Sequence, residues 1–89
     1  MTYEYTYLKV PAIADALPCV GLVLAGMVTR ARIGVGGLEE AIEVLESFHS
    51  DTEPTRYRFA LGDDRVVAEI EGPGGEDEDD WVTVVELVS

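Results

Sequence analysis

Residues capable of nucleophilic or metal chemistry are sparse in this sequence. His49 is the only histidine and Cys19 the only cysteine, and the two fall on different predicted helices. A nucleophilic pair needs its side chains within hydrogen-bond reach, and nothing in this spacing requires that. We expect Cys19 to be a buried structural residue and His49 to suit the negative end of a helix dipole. We therefore predict no catalytic residue, no metal ligand and no cofactor, and we expect the chain not to be an enzyme.

Two neighbouring loop segments could bind ions, and each lacks part of what such a site needs. Gly72-Pro73-Gly74-Gly75 is rich in glycine, but five carboxylates follow it where a phosphate loop has a lysine or a helix start. The run 76–80 offers the oxygen ligands that calcium prefers, without the spacing of an EF-hand. We interpret the first segment as a turn, and whether the second binds cations stays open.

Length and charge limit the classes of function. The 89 residues are enough for one domain, 1–89, with one core. The net charge of −12, from 18 acidic and 6 basic residues, disfavours nucleic acid and anionic membranes. The charge either only keeps the protein soluble or also attracts a basic protein partner. The longest apolar stretch, 18–28, is too short to span a bilayer and the N-terminus lacks a basic region, so we expect a cytoplasmic protein.

The first third of the sequence predicts a strand and a helix. Thr2 to Val10 alternates and is rich in tyrosine and threonine, which is typical of a strand that Pro11 then ends. We predict that Asp15 caps a helix over about 16–32. Gly34 is placed to end that helix in a left-handed conformation.

A second helix is predicted by the clearest periodicity in the chain, with glutamates on its other side and near its start. Its apolar positions are Leu38, Ala41, Ile42, Leu45 and Phe48.

The last third of the sequence predicts three strands. Arg56–Leu61 and Arg65–Glu71 alternate around a tight Gly62-Asp63-Asp64 turn, and 81–88 is rich in β-branched residues. The predicted fold is therefore α+β: two helices packed on one face of a mostly antiparallel four-stranded sheet, in the order β-α-α-β-β-β.

The three tyrosines of the first strand are the candidate interface residues. Tyr3, Tyr5 and Tyr7 alternate with Leu8 and Val10, so the tyrosines should line the sheet face that the helices leave open. Aromatic side chains on such a face are enriched at protein interfaces. The alternative is an amphipathic outer face with three partly exposed rings.

The chain resembles the N-terminal part of the anti-sigma factor serine kinases, which belong to the Bergerat-fold (histidine-kinase-like) ATPases. The resemblance is carried by the element order, by the hairpin around Gly62-Asp63-Asp64, and by the Glu71-Gly72-Pro73-Gly74 segment that follows it. In that family the second helix carries a Glu and an Asn for Mg–ATP, and an Asp-x-Gly-x-Gly box reads the adenine.

The resemblance also implies that nucleotide ligands are missing. Gly72 and Gly74 fall on the two glycines of the box, but Ile70 occupies its Asp position. Glu43 could stand for the acidic residue of the second helix, whereas the Asn position falls near Phe48. No ATP lid follows the box. The resemblance implies a shortened, non-catalytic relative of proteins that bind sigma factors and antagonists and often dimerise.

Two functions are therefore expected. The first is a non-enzymatic interaction or regulatory module that self-associates as a homodimer through the open sheet face. The alternative is a small-ligand or residual nucleotide-binding domain that uses the cleft between the second helix and the 72–75 loop.

Overall fold

Four strands form one fully antiparallel sheet in a computed structural model that describes residues 3–34, 36–72 and 81–88. Neighbours in the sheet follow chain order, β1-β2-β3-β4. The strands are β1 (Glu4–Val10), β2 (Thr55–Leu61), β3 (Arg65–Glu71) and β4 (Trp81–Val88).

Two helices lie between β1 and β2 in the chain, and both pack on one face of this sheet. They are α1 (Pro18–Arg30), which follows a short 3-10 turn at Ala14–Ala16, and α2 (Leu38–Glu46). α1 contacts β1 and β3, and α2 contacts β4. The predicted α+β architecture and order of elements are confirmed. None of the helices in the described ranges is long and apolar enough to cross a membrane.

The core lies between the helices and the inner face of the sheet. Tyr57 and Phe59 of β2 are its largest fully buried side chains, and their rings stack with centroids 6.3 Å apart. The buried Tyr57 hydroxyl donates a hydrogen bond to the Leu45 carbonyl at the end of α2, 2.8 Å away. This bond satisfies the one polar atom of the ring and joins the sheet to α2. Burial, reinforced by the charge of Glu46, raises the pKa of Tyr57 to about 12.

The start of α1 differs from the prediction. Asp15 lies inside the 3-10 turn, and α1 begins at Pro18 with Leu17 in the capping position and no side-chain cap. Proline is suited to the first helical position because its fixed φ fits a helix and its missing N–H would have no helical partner there. The prediction of Asp15 as the cap was therefore wrong, since Pro18 sets the start instead.

The end of α1 also differs, because Arg32 and not Gly34 takes the left-handed conformation, with φ 59°. The Ile33 N–H donates to the Val28 carbonyl and the Arg32 N–H to the Thr29 carbonyl, which together form a Schellman motif. Burial of Ile33 fixes where this motif falls, so the chain turns two residues before the glycine. A non-glycine residue in this conformation costs roughly 1 kcal/mol.

Cys19 is exposed, which contradicts the prediction that it is buried. α1 carries no charged residue between Pro18 and Thr29, so its periodicity did not distinguish an inner from an outer side. Val20 and Leu24 point into the core, whereas Leu22 is 73% exposed beside Cys19. The outer side of α1 is thus apolar and uncovered by the described residues.

The segment after α2 carries two residues that sequence analysis placed on that helix. Phe48 lies beyond the end of α2 and is exposed rather than part of the apolar side. His49 follows it, and its Nε2 lies 2.9 Å from the Pro11 carbonyl oxygen. His49 therefore ties this connection to the segment after β1.

Candidate functional site: the open face of the sheet

The sheet has a second face on which no described element packs, and we call it the open face. Its side chains are the alternate residues of each strand, opposite in direction to the core residues. They are Tyr5, Tyr7, Lys9, Arg56, Arg58, Ala60, Arg65, Val67, Glu69, Glu71, Trp81, Thr83, Glu86 and Val88.

An arginine held between two aromatic rings lies at the centre of the open face. The Arg58 guanidinium carbon is 5.0 Å from the Tyr5 ring centroid and 4.9 Å from the Trp81 ring centroid. Tyr7 meets Trp81 edge to face, with centroids 5.9 Å apart. Each such cation–π contact contributes about 0.5–1 kcal/mol when it is exposed. The cluster of Tyr5, Tyr7, Arg58 and Trp81 joins three strands, β1, β2 and β4.

Glu69 fixes the orientation of Arg58 from the neighbouring strand. Its Oε1 lies 2.7 Å from Arg58 Nε, and the two side chains are only 12% and 21% exposed. The hydrogen bond and the charge of Glu69 raise the pKa of Arg58 further above its usual value, against the effect of partial burial. The guanidinium is therefore always charged, and its position is set before any partner arrives.

The open face holds most of the positive charge of the chain. Four of the six basic residues lie on it, together with three glutamates, which gives this face a net charge of +1 against −12 for the whole chain. Two further ion pairs connect its strands, Arg56–Glu71 at 3.3 Å and Arg65–Glu86 at 3.5 Å. The acidic side chains of α2 lie on the opposite side of the molecule. The open face therefore adds little like-charge repulsion of its own when a partner approaches.

The structure separates the three predicted interface tyrosines. Tyr5 and Tyr7 are 52% and 62% exposed on the open face, as their alternation predicts. Tyr3 precedes β1 and is half-buried against Gly62, where an added Cβ would lie 3.0 Å from the Tyr3 ring. Tyr3 therefore lies at the hairpin end of the sheet, away from the aromatic cluster.

Sequence analysis missed Arg58, Glu69 and Trp81 as members of the site. Arg58 alternates with the core residues Tyr57 and Phe59, and this pattern placed it on the outer face. The pattern could not give the strand register, which places Arg58 opposite Tyr7 of β1 and opposite Glu69 of β3. The pairing of strands distant in sequence created the cluster.

The alternative function was predicted in a cleft between α2 and the 72–75 loop. A cleft of about 270 Å³ lies beside Gly72, but it is lined by the segment after α2 and by the ends of β2 and β3, and not by α2 itself. Phe48 and Ile70, the residues at the expected nucleotide-ligand positions, both line it, and so does Gly72. Glu43 is an exposed residue of α2 and does not line this cleft. Phe48 and Ile70 cannot bind Mg²⁺. The carboxylates that line the cleft are Glu53 and Glu71, of which Glu71 is ion-paired with Arg56. The volume is below the usual range for small-molecule sites.

No group of three or more metal-ligating side chains occurs within residues 3–34, 36–72 and 81–88. The acidic run 76–80 and the glycines at 74 and 75 lie outside the described residues.

Comparison with protein-family models gives no match for this chain, and comparison with curated proteins gives no significant match.

Proposed function

We propose that this protein is a non-enzymatic interaction module that self-associates as a homodimer through the open face of its sheet. The observation that carries the proposal is the aromatic cluster around Arg58, which presents two half-exposed tyrosines beside three cross-strand ion pairs. Aromatic and arginine side chains dominate binding energy at protein interfaces, and pre-ordered ones lose little entropy on binding.

A second copy is a suitable occupant because the open face is nearly neutral and has its basic side chains mainly on β1 and β2 and its glutamates on β3 and β4. Two such faces related by a twofold axis can place arginines against glutamates while the tyrosines pack at the centre. Four strands of about seven residues give a footprint of roughly 400–500 Å² per protomer, from the usual strand spacings. This area belongs to weak, transient interfaces, so we expect a dissociation constant in the micromolar range.

Measurement of the solution mass tests the proposal. Sedimentation equilibrium from about 1 to about 100 μM should show a monomer–dimer equilibrium for the wild type. The Tyr5→Ser/Tyr7→Ser double variant should remain monomeric throughout. Both tyrosines are exposed, so circular dichroism should show that this variant stays folded.

Leu22→Ser provides the matched control, because it also replaces an exposed apolar side chain but on the outer side of α1. It should leave the dimer unchanged. A wild type that is monomeric at tens of micromolar would contradict the proposal, as would dissociation by Leu22→Ser and not by the double variant.

The broader role we propose is regulatory and cytoplasmic. It is supported by the resemblance to the anti-sigma factor kinases and by the replacement of their nucleotide ligands with Ile70 and Phe48. The glutamates on α2 suit a basic protein as a further partner.

The cleft beside Gly72 supports a second candidate, a site for a small ligand or a residual nucleotide site. A thermal-shift scan with ATP, ADP and Mg²⁺ separates the two candidates. We expect no stabilisation, and a robust shift with nucleotide would favour the second candidate over the first.

A further inference from the structure

A larger cavity of about 460 Å³ lies at the other end of the molecule, between the end of α1 and the β2–β3 turn. Its volume falls within the range of small-molecule sites. It lies outside the open face and outside the cleft beside Gly72, so it is independent of both candidate functions above.

Two of the residues that line this mostly polar cavity have large apolar side chains. The Tyr3 ring and Leu61 both line it, and Leu61 belongs to the hydrophobic core. Gly62 allows the Tyr3 ring to lie this close, because a side chain there would meet the ring at 3.0 Å. An apolar group of a ligand could pack against these two side chains.

Four charged side chains line the cavity, and only two of them pair with each other. Arg30 forms an ion pair with Glu4, with Nη2 and Oε2 3.0 Å apart. Arg32 and Asp63 line the same cavity, and neither forms an ion pair with any residue in the described part of the chain. The cavity therefore offers one available positive and one available negative group.

Arg32 lines the cavity from a strained backbone position at the end of α1. It occupies the left-handed position of the Schellman motif, where glycine is the usual and less strained residue. Strained positions filled by functional side chains cluster at ligand-binding sites. Arg32 is such a strained residue, and its side chain lines the cavity.

We propose that this cavity binds a small zwitterion of the α-amino acid type with an apolar side chain. Arg32 receives the carboxylate, Asp63 receives the ammonium, and the apolar group lies on Tyr3 and Leu61. The charges of Arg32 and Asp63 match the two ends of such a ligand, whereas a simple anion would be repelled by Asp63 and a simple cation by Arg32.

NMR titration of the ¹⁵N-labelled protein with L-leucine tests this proposal. Saturable shifts are expected at the amides of Ile33, Gly62 and Asp63, with a dissociation constant below about 10 mM. Two matched probes each remove one charge: 4-methylpentanoate lacks the ammonium, and 3-methylbutylamine lacks the carboxylate. Each should bind at least about tenfold more weakly than leucine. Absence of saturable shifts with leucine, or equal binding of either single-charge probe, would overturn the proposal.

Three variants assign the charges. Arg32→Gly and Asp63→Asn should each weaken leucine binding by at least about tenfold, while the spectrum stays well dispersed. Asp64→Asn is the matched control, since Asp64 is the adjacent exposed residue of the same turn and does not line the cavity. Its affinity should stay within about twofold of wild type. If Arg32→Gly keeps its affinity, the assignment of Arg32 is wrong and the proposal fails.

Discussion

The two faces of the sheet are made by the same strands and are stabilised in different ways. On β2, Tyr57 and Phe59 point inward and are fully buried, while Arg56 and Arg58, which alternate with them, point outward. The inner face depends on area removed from water and on close packing. The open face depends on pairwise contacts, namely cation–π contacts and cross-strand ion pairs.

Because the two faces are stabilised differently, folding and association can be altered separately. Removal of a buried ring leaves a cavity that the surrounding core cannot fill. Removal of an outward ring leaves a surface that water can solvate, so little folding free energy is lost. Residues of the open face are thus available for binding at small cost to the fold.

The largest expected effect is the difference in stability lost when a ring is removed from the inner face and when one is removed from the open face. Phe59→Ala should lower the free energy of unfolding by about 3–5 kcal/mol, because the side chain is fully buried. Tyr5→Ala should lower it by less than about 1 kcal/mol, the value of its exposed contact with Arg58. Urea unfolding measures both. Similar losses for the two variants would show that the open face contributes to stability as the core does.

The next effect concerns the buried hydroxyl of Tyr57 and its dependence on pH. The pKa of this hydroxyl is about 12 in the folded protein against 10.0 for an ordinary tyrosine. Because the folded pKa is raised, the unfolded chain loses its proton first as pH rises. The stability contributed by Tyr57 is therefore fully present below pH 10 and is lost between pH 10 and 12, by about 2 kcal/mol.

Tyr57→Phe is the control for that measurement, since it keeps the ring and all the other tyrosines. Urea unfolding of both proteins at pH 9 and near pH 12 should show the wild type losing about 2 kcal/mol more than the variant. Parallel losses would mean that the hydroxyl is not protected by burial. At neutral pH the variant should be about 1 kcal/mol less stable, for want of the bond to the Leu45 carbonyl.

A smaller effect is expected for the coupling free energy of two ion pairs, the partly buried Arg58–Glu69 pair of the open face and the exposed Arg30–Glu4 pair. A double-mutant cycle on Arg58 and Glu69, with glutamine at each, should give a coupling free energy of about 1 kcal/mol. The pair is short, partly buried and flanked by two rings. The same cycle on Arg30 and Glu4, which are 60% and 70% exposed, should give almost none. Equal coupling in the two cycles would contradict the view that Arg58 is held in place.

The smallest expected effect is a gain in the stability of the protein from a substitution at the end of α1, which covers the inner face. Arg32→Gly should raise the free energy of unfolding by about 0.5–1 kcal/mol, because glycine adopts the left-handed conformation without strain. Arg32→Ala keeps the strain while it removes the side chain, and it should not stabilise the protein. If both variants were stabilised, the gain would come from the loss of the Arg32 charge and not from relief of backbone strain.

Much of the fold could be predicted from sequence because strand alternation and turn residues are local signals. The bounds of β3 and β4 agree with the prediction, since the turn after Leu61 and the β-branched run at 81–88 define them. Tyr5 and Tyr7 were placed on the correct face by alternation alone. The ends of α1 were not predicted, because Pro18 and the burial of Ile33 prevailed over Asp15 and Gly34.

The candidate site was predicted only in part, for a reason of the same kind. Alternation tells which way a side chain points but not which strand lies beside it. Arg58 and Trp81 meet because β1, β2 and β4 are brought together by the whole sheet. Cys19 was misplaced because an uncharged helix such as α1 offers no polar side to orient it.

The spatial order β1-β2-β3-β4 has a consequence for the sequence of events in folding. β2, β3 and β4 are neighbours in the chain, whereas β1 reaches β2 only after residues 11–54, including both helices, have closed a long loop. Distant contacts of this kind form late, since loop closure must precede them. Tyr5 and Tyr7 arrive with β1. The surface proposed for self-association is therefore completed only when β1 joins the sheet, and a chain that has not finished folding lacks the means to dimerise.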